Sequence, residues 1–396
     1  MDDIERIAEL TDSLKQISFP ATGIDLPTGS VAVIVNYYAG HFGGSLSQLL
    51  KCLTAVKVCA EFEKYAAYAV PVCLVCRDAA PEVSTSEISR DALQKIDGSL
   101  EEIFPNGDSE ALTALKEAFA PDTDFVSSCA RWLKGLLKDF GVIVAEYDAA
   151  TSGNPVYCVA PHSNALIYST GFAKVADALV PNQNSDGSEP RCFRQSRMLP
   201  TAAFVMDYAE IPEYVNSLPF WERGGFVRPL FLPSPTVSIT NAGSLKTLKR
   251  YGLGFEKLFE GKERVMDYVR ETLKSDVPVS LQKLKDETRA VLEELETAVF
   301  AANGERSDRI RKARAARIVY QLEKILKHSR AALADKEETA KNRISKACDF
   351  LAPLGKRQQD VLRGAYILVY YGLTGLRELY ERLDITATHH QLIEIN

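Results

Sequence analysis

The stretch VAVIVNYYAGHFGGSLSQLLKCLTAVK, residues 31–57, decides the fold. Val31–Val35 is a continuous apolar, largely β-branched run, the pattern of a strand buried on both faces of a parallel sheet. It stops at Asn36-Tyr37-Tyr38 and the glycine-bearing turn Ala39–Gly44. From Leu46 the period changes: Leu46, Leu49, Leu50, Leu53, Val56 and Val58 mark an inward face of a helix that runs to about Tyr65. The unit reads strand, glycine loop, helix. In such a unit the first helical N–H groups face the loop and the helix dipole adds partial positive charge, so a carboxylate or phosphate has a place over Gly43, Gly44 and Ser45. Simple close packing of the loop is an equal alternative, because glycine-rich helix starts are common.

Working outward, Ala69–Cys76 (AVPVCLVC) is a second buried strand, which makes residues 31–76 a β-α-β unit with a right-handed crossover and a crevice at the strand C-terminal ends. Asp78 falls just past that second strand, as either a ligand-facing carboxylate or a solvated turn residue. Cys73 and Cys76 have C-x-x-C spacing, but strand residues three apart face opposite sides and no second pair follows, so they read as core. His41 offers a general acid or base one residue after Gly40, or a plain loop histidine. Tyr37 and Tyr38 offer rings for stacking on a ligand or for packing. Arg191 and Arg197 flank what reads as the approach to a strand, and either suits a carboxylate clamp or a surface ion pair.

Residues 2–16 form a lead-in helix with Ile4, Ile7, Leu10 and Leu14 on one side. From Thr85 to Leu179 the periodicity weakens. Two helices within 109–140 and a strand over Val142–Tyr147 suggest an insertion with its own small core, and PNQNSDGSEP at 181–190 is a surface loop. Pro200–Val205 and Pro229–Leu232 supply two further core strands, with a short helix over Glu210–Leu218 between them. Beyond Ser244 the chain turns helical. Leu281, Leu284, Thr288, Val291, Leu295, Ala298 and Ala302 hold one heptad and Ala315, Ile318, Leu322, Ile325, Ser329 and Ala332 another, an antiparallel hairpin across Gly304. So narrow a seam must dock on the body or on a second copy. The region 358–396 carries a helix over Val361–Tyr371, a turn at Gly372, a helix through Leu383 and a terminal THHQLIEI.

The 396 residues, 46% hydrophobic, suffice for two or three domains, and a net charge of -6 disfavours nucleic acid as a partner. No run of about twenty uncharged apolar residues exists and MDDIERIAEL lacks a basic leader, so no membrane association and a cytoplasmic location are expected, with reduced cysteines. No nucleophile triad, Walker loop, complete dinucleotide fingerprint or metal-spacing motif is present. A small-molecule substrate fits this profile, and residue chemistry alone names no reaction.

Several segments together resemble one family, the cysteine-adding enzymes of bacillithiol biosynthesis (BshC), ligases taken to join cysteine to glucosaminyl-malate. In AGHFGGSLSQLLKCLTAVK, residues Ala39, Gly40, Phe42, Gly43, Gly44, Leu46 and Lys51 match the family's strand-loop-helix signature, with Asn36, Tyr37 and Tyr38 in place of Gly-Gln-Gln. AVPVCLVC matches the next segment. RCFRQSRMLPTAAFVMDYAEIPEYV keeps Arg191, Gln195, Pro200, Thr201, Glu210 and Tyr214, and Gln358, the YGL at 371–373 and the HQL at 390–392 match the tail. The resemblance implies an α/β fold: a Rossmann-like, nucleotidyltransferase-like core (1–84 and 191–245), an inserted α+β connective segment (85–190) and a C-terminal helical coiled-coil hairpin with its tail (246–396). It implies a homodimer through the coiled coil. It also implies a ligase pocket lined by the loop 36–45 and Asp78, with Arg191, Gln195 and Glu210 entering from the later strands. The candidate catalytic residues are Asp78 and, from its place in the loop and with no matching family histidine, His41; the candidate substrate-binding residues are Asn36, Tyr37, Tyr38, Gly40, Gly43, Gly44, Ser45, Arg191, Gln195 and Glu210. The cofactor is left unassigned, with an adenine nucleotide as the candidate such a core suggests. The family's Glu-Asp-His-Asp cluster after the second strand is reduced here to Asp78 in CRDAAPEV, MDYA replaces Gly-Gly-Pro-Gly before Glu210, Ser234 stands for an arginine, and the insertion is shorter. A catalytically degenerate, dimeric binding or scaffold protein is therefore the alternative, and an unrelated small-molecule transferase on the same core a third.

Overall fold

A computed structural model of the chain describes residues 2–15, 23–65, 68–77, 107–119, 124–148, 158–159, 166–168, 171–172, 190–224, 228–273, 277–303 and 305–395. Asp78 and most of the 181–190 loop lie outside these residues. In chain order the elements are α1 (Asp2–Lys15), β1 (Val31–Tyr38), α2 (Leu46–Glu63), β2 (Ala69–Cys76), α3 (Ser109–Ala118), α4 (Phe125–Leu136) and β3 (Ile143–Tyr147). Three short strands follow, β4 (Cys158–Val159), β5 (Leu166–Tyr168) and β6 (Gly171–Phe172), then α5 (Arg191–Met198), β7 (Thr201–Met206), α6 (Ile211–Gly224), β8 (Leu230–Pro233) and β9 (Val237–Thr240). The remainder is α7 (Ala242–Tyr251), α8 (Lys262–Leu273), α9 (Val277–Asn303), α10 (Glu305–Leu351), α11 (Gln358–Val361), α12 (Gly364–Arg382) and β10 (Gln391–Glu394).

The chain divides into two compact units, Met1–Asn241 with Lys356–Asn396, and Ala242–Gly355. The block 246–396 is thus a helical unit followed by a segment that returns to the first unit. No helix among the described residues is long and apolar enough to cross a membrane.

In the first unit five parallel strands lie in the order β3-β2-β1-β7-β8. This is an α/β architecture in agreement with a Rossmann-like layout, and its order reverses between β1 and β7. Val31–Val35 is buried throughout because the sheet is covered on both faces. On one face Ile34, Leu74, Cys76 and Phe204 pack with Phe193 of α5 and Trp221 of α6. On the other lies α2, buried from Leu46 to Ala55 on every side because α11 and α12 also pack against it.

Two segments depart from the sequence-based expectation. Val142–Tyr147 belongs to the main sheet as β3, paired with β2 from Val72↔Ile143 to Cys76↔Tyr147, rather than to the core of an insertion. Its Ile143, Val144 and Ala145 cover an edge of β2 that would otherwise stay unpaired. The segment carrying Arg191 and Arg197, which leads into β7, is itself the helix α5, because Cys192, Phe193, Ser196 and Arg197 share a buried side at helical spacing. Just past β2, Arg77 ties the sheet to the start of α4: it donates to Asp124 at 3.0 and 3.2 Å and to Ser127 at 2.6 Å, and it pairs with Glu146 of β3. Those bonds from Arg77 hold the Asp124 carboxyl below its usual range.

The parallel pair β9–β10 has an unusual second edge. Gln358 accepts from the Ile239 N–H at 2.6 Å and donates to the Ile239 carbonyl at 2.9 Å, and Gln359 accepts from the Val237 N–H at 2.6 Å. Two side chains thus do the hydrogen bonding of a missing strand. Gln358→Leu leaves both Ile239 groups buried and unsatisfied and is expected to cost about 2–4 kcal/mol, read as a lower midpoint in urea unfolding with an unchanged slope.

In the second unit α7 and α8 pack on α10 through Leu248, Tyr251, Leu258, Val265, Val269, Ile344 and Leu351. Helices α9 and α10 form an antiparallel hairpin, with Arg330 bonded to Gln282 at 3.4 Å and Lys285 to Glu323 at 3.0 Å. The expected seam is closed only in part. Of its members Ala315 is buried, whereas Leu284, Val291, Leu295, Ile318 and Ile325 stand 47–60% exposed, and Leu326, outside the expected seam, is buried next to Ile325. An ideal helix drifts by about 20° per heptad, so a narrow stripe over this length rotates out of a two-helix contact.

Candidate active site

In open α/β sheets ligands enter beyond the carboxyl ends of the strands where the order reverses. Here that place, between β1 and β7, is occupied by side chains from five segments: Asn36 and Tyr38 ending β1, Lys51 of α2, Arg191 and Gln195 of α5, the turn Asp207–Glu210 after β7, and Glu213 of α6.

Lys51 is fully buried. Its Nζ donates to the Asn36 carbonyl at 2.7 Å and to Glu210 Oε2 at 2.8 Å. Burial opposes its charge, but Glu210 and, after it, Asp207 outweigh that effect and raise its pKa, so the ammonium persists. Glu210 Oε2 also accepts from the Asp207 N–H at 2.9 Å, while Asp207 Oδ1 accepts from the Ala209 N–H at 2.9 Å. This capping box opens the 3-10 turn Tyr208–Glu210 ahead of α6, which fixes the carboxylate to the backbone.

Asn36 Oδ1 accepts from Gln195 Nε2 at 2.6 Å and from the Cys76 thiol at 3.5 Å. Asn36 Nδ2, Gln195 Oε1 and Glu210 Oε1 are all buried and have no hydrogen-bond partner among the described residues. Tyr38 lies between two cations, with Lys51 Nζ 5.1 Å and the Arg191 guanidinium 5.5 Å from its ring centroid. Its hydroxyl accepts from Arg191 at 3.1 Å, and its backbone N–H donates to Gln48 at 3.3 Å. Burial, then Glu210 and Glu213, push the Tyr38 phenol pKa up against the pull of Arg191. It is a neutral hydroxyl rather than a phenolate. Arg191 also stands 3.7 Å from Glu213.

The loop on the other side of β1 is packed. Phe42, Gly43 and Gly44 hold φ of +51°, +83° and +71° in succession. The Tyr37 hydroxyl donates to the Gly43 carbonyl, and the Trp132 indole lies where a Gly43 side chain would go. The Leu46 N–H donates to the Leu362 carbonyl at 2.7 Å, the Gly364 N–H donates to the Gly44 carbonyl at 2.9 Å, and Ser45 forms a bridge with Arg363. The first N–H of α2 is therefore spent on the protein, and the anion expected over Gly43, Gly44 and Ser45 finds that donor occupied.

Of the residues singled out from the sequence, Asn36, Tyr38, Arg191, Gln195 and Glu210 meet in one cluster. Tyr37, Gly43, Gly44 and Ser45 belong to the packed loop; Gly40 and His41 lie in the same loop, His41 in its 3-10 turn His41–Gly43. Cys73 and Cys76 face opposite sides of the sheet, and burial, then Cys52, holds the Cys73 thiol far above its ordinary pKa. Sequence reasoning overlooked Lys51 as a site residue. The signal for it is the polar stripe Ser47, Gln48, Lys51 and Thr54, repeating at helical spacing within the otherwise apolar first ten residues of the helix, with every member buried.

The family described as "Bacillithiol biosynthesis BshC, C-terminal coiled-coil domain" matches residues 237–395. Among curated proteins, "Putative cysteine ligase BshC" of Salinibacter ruber is 24% identical over 217 residues, 54% of this chain and 40% of that relative. The protein of the same name from Solibacter usitatus is 24% identical over 207 residues, 51% of this chain and 38% of that relative. Each match thus spans about two fifths of the relative's length. A solved structure of a "putative arginyl t-RNA synthetase" from Campylobacter jejuni aligns over 96% of this chain and 98% of its own at 10% identity and a TM-score of 0.23, which carries no argument. The coiled-coil match over residues 237–395 and the two curated relatives agree in what this chain is similar to, the BshC family.

Proposed function

We propose that the chain is a cysteine ligase of the bacillithiol-biosynthesis type, joining cysteine or a related amino acid to an amino-sugar conjugate such as glucosaminyl-malate, on a nucleotidyltransferase-like core in the cytoplasm. The observation that carries this reading is the buried polar cluster of Lys51, Glu210, Asn36 and Gln195 at the reversal of the strand order. Core positions otherwise filled by apolar side chains are given there to a lysine, a carboxylate and two amides. In this reading Arg191, at the rim, holds a substrate carboxylate, and His41 and Asp78 are the candidates for moving protons. Incubation with cysteine, glucosaminyl-malate and ATP, the candidate cofactor, whose cleavage would take up the oxygen lost from the carboxylate, should yield a species of the two substrates' summed mass less one water by mass spectrometry. Absence of that product together with absence of binding of either compound would end the reading.

A second reading, a catalytically degenerate member serving as a binding or scaffold protein, is favoured by one observation: the loop beside the cluster is sealed by Trp132 and by residues 362–364. It requires that His41→Ala and Asp78→Ala leave cellular function unchanged, and a strong loss from either would refute it.

For assembly we propose a homodimer through the hairpin, supported by its row of exposed apolar residues. Leu295→Asp combined with Leu322→Asp is expected to give monomers in light scattering, and an unchanged dimer would put the interface elsewhere.

A further inference from the structure

Glu210, Gln195 and Asn36 each have one polar atom bound within the protein and one left over. Glu210 Oε2 is taken by Lys51 and the Asp207 N–H, which leaves Oε1; Gln195 Nε2 is taken by Asn36 Oδ1, which leaves Gln195 Oε1 and Asn36 Nδ2. Turning both amides over exchanges the two leftovers but again leaves one donor and one acceptor, so the count does not depend on how the amides are assigned. All three residues are more than nine-tenths buried, where a polar atom without a hydrogen bond is destabilising. Three such atoms on residues from three segments, gathered at the strand-order reversal, call for a guest with the complementary pattern.

We infer that Asn36, Gln195 and Glu210 form a recognition subsite for a primary ammonium group that has an oxygen acceptor on the neighbouring carbon. Two acceptors, one of them a carboxylate, suit a group with several N–H donors and a positive charge and repel an anion. The remaining amide donor suits the adjacent oxygen. The charges around the cluster agree: Lys51 and Arg191 stand against Asp207, Glu210 and Glu213, two cations against three carboxylates, and an ammonium neutralises the difference. An α-amino acid and a 2-amino sugar both carry this pattern. The inference depends on the ligase reading only for which compounds are tried first.

Isothermal titration of the wild-type chain with L-cysteine against 3-mercaptopropionate, and with D-glucosamine against D-glucose, separates the two sources and needs no variant. In one pair the amine is expected to bind at least about ten-fold more tightly than its deaminated partner, the discrimination of a charge-assisted hydrogen bond. Gln195→Met, which removes the neutral acceptor, should lower the amine's affinity by a similar factor while the circular dichroism spectrum stays that of the folded wild type. Equal binding within both pairs, no binding by either amine, or unchanged affinity in folded Gln195→Met overturns the inference. So does a crystal structure with the amine present in which the three atoms hold only water. Amine-dependent binding without product in the ligation assay would retire the ligase reading and keep the subsite. Product formation with no amine preference would do the reverse.

Discussion

Lys51→Met should lower the unfolding free energy by about 3–5 kcal/mol, the cost of leaving a buried carboxylate without its partner. The lysine has no exposed surface, and Glu210 is only 4% exposed, so neither solvent nor salt replaces the lost contact. Lys51→Met combined with Glu210→Met should recover most of that loss, because a buried pair exchanged for packed apolar side chains is close to neutral. About 1–3 kcal/mol should remain, since the Asn36 carbonyl and the Asp207 N–H each lose a partner. Urea unfolding of both variants beside the wild type reads the difference. Equal losses in the single and double variants would mean that the pair is not the source of the effect. The sign in pH follows from the raised lysine pKa. The lysine's own contribution is present below its ordinary value of about 10.4 and is lost as pH rises through the higher folded value. The wild type's advantage over the double variant should therefore shrink in strong alkali.

Gly43→Ala is expected to be the most damaging change of a glycine in the loop, at about 2–5 kcal/mol. Its Cβ would lie 2.0 Å from Trp132 Cζ3 and 2.5 Å from Cη2, and the φ of +83° is itself unfavourable for alanine. Gly252→Ala separates the two terms, because Gly252 has a φ of +61° with nothing within 4 Å of the added carbon. It should cost only about 1–2 kcal/mol, the left-handed conformation alone. In a Trp132→Leu background the penalty of Gly43→Ala should fall toward that smaller value, a coupling that thermal or urea unfolding of the four variants measures. Equal costs at Gly43 and Gly252 would show that the indole does not press on the loop.

Much of the fold is legible in local pattern. The run Val31–Val35 and the leucines from Leu46 to Leu53 specify a buried strand and a helix, because burial on a regular element leaves a period of its own. The same is true of AVPVCLVC and of the existence of two long helices. The hairpin shows the limit of such reading. A heptad marks which residues are apolar, but whether Ile325 or Leu326 turns inward depends on accumulated helical phase and on the partner helix, and here Leu326 is the buried one.

The candidate site was legible in its parts and not in its arrangement. Asn36, Arg191, Gln195 and Glu210 stood out by type and by resemblance, yet Lys51, which joins two of them, looked like an ordinary helix lysine because no neighbour in sequence explains it. Its carboxylate partner is 159 residues away, as Gln195 is from Asn36. The sequence by itself determined the β-α-β unit, the helical second half and the packed, inert cysteines, all set by side-chain periodicity and hydrophobicity over a few turns. Only the tertiary structure decided that β3 joins the main sheet, that residues 356–396 return to the first unit, that α5 is a helix and that a lysine–glutamate pair crosses the strand-order reversal. Those features rest on hydrogen bonds and ion pairs whose energy is realised when distant segments are brought together and shielded from water, and no local pattern records that partnership.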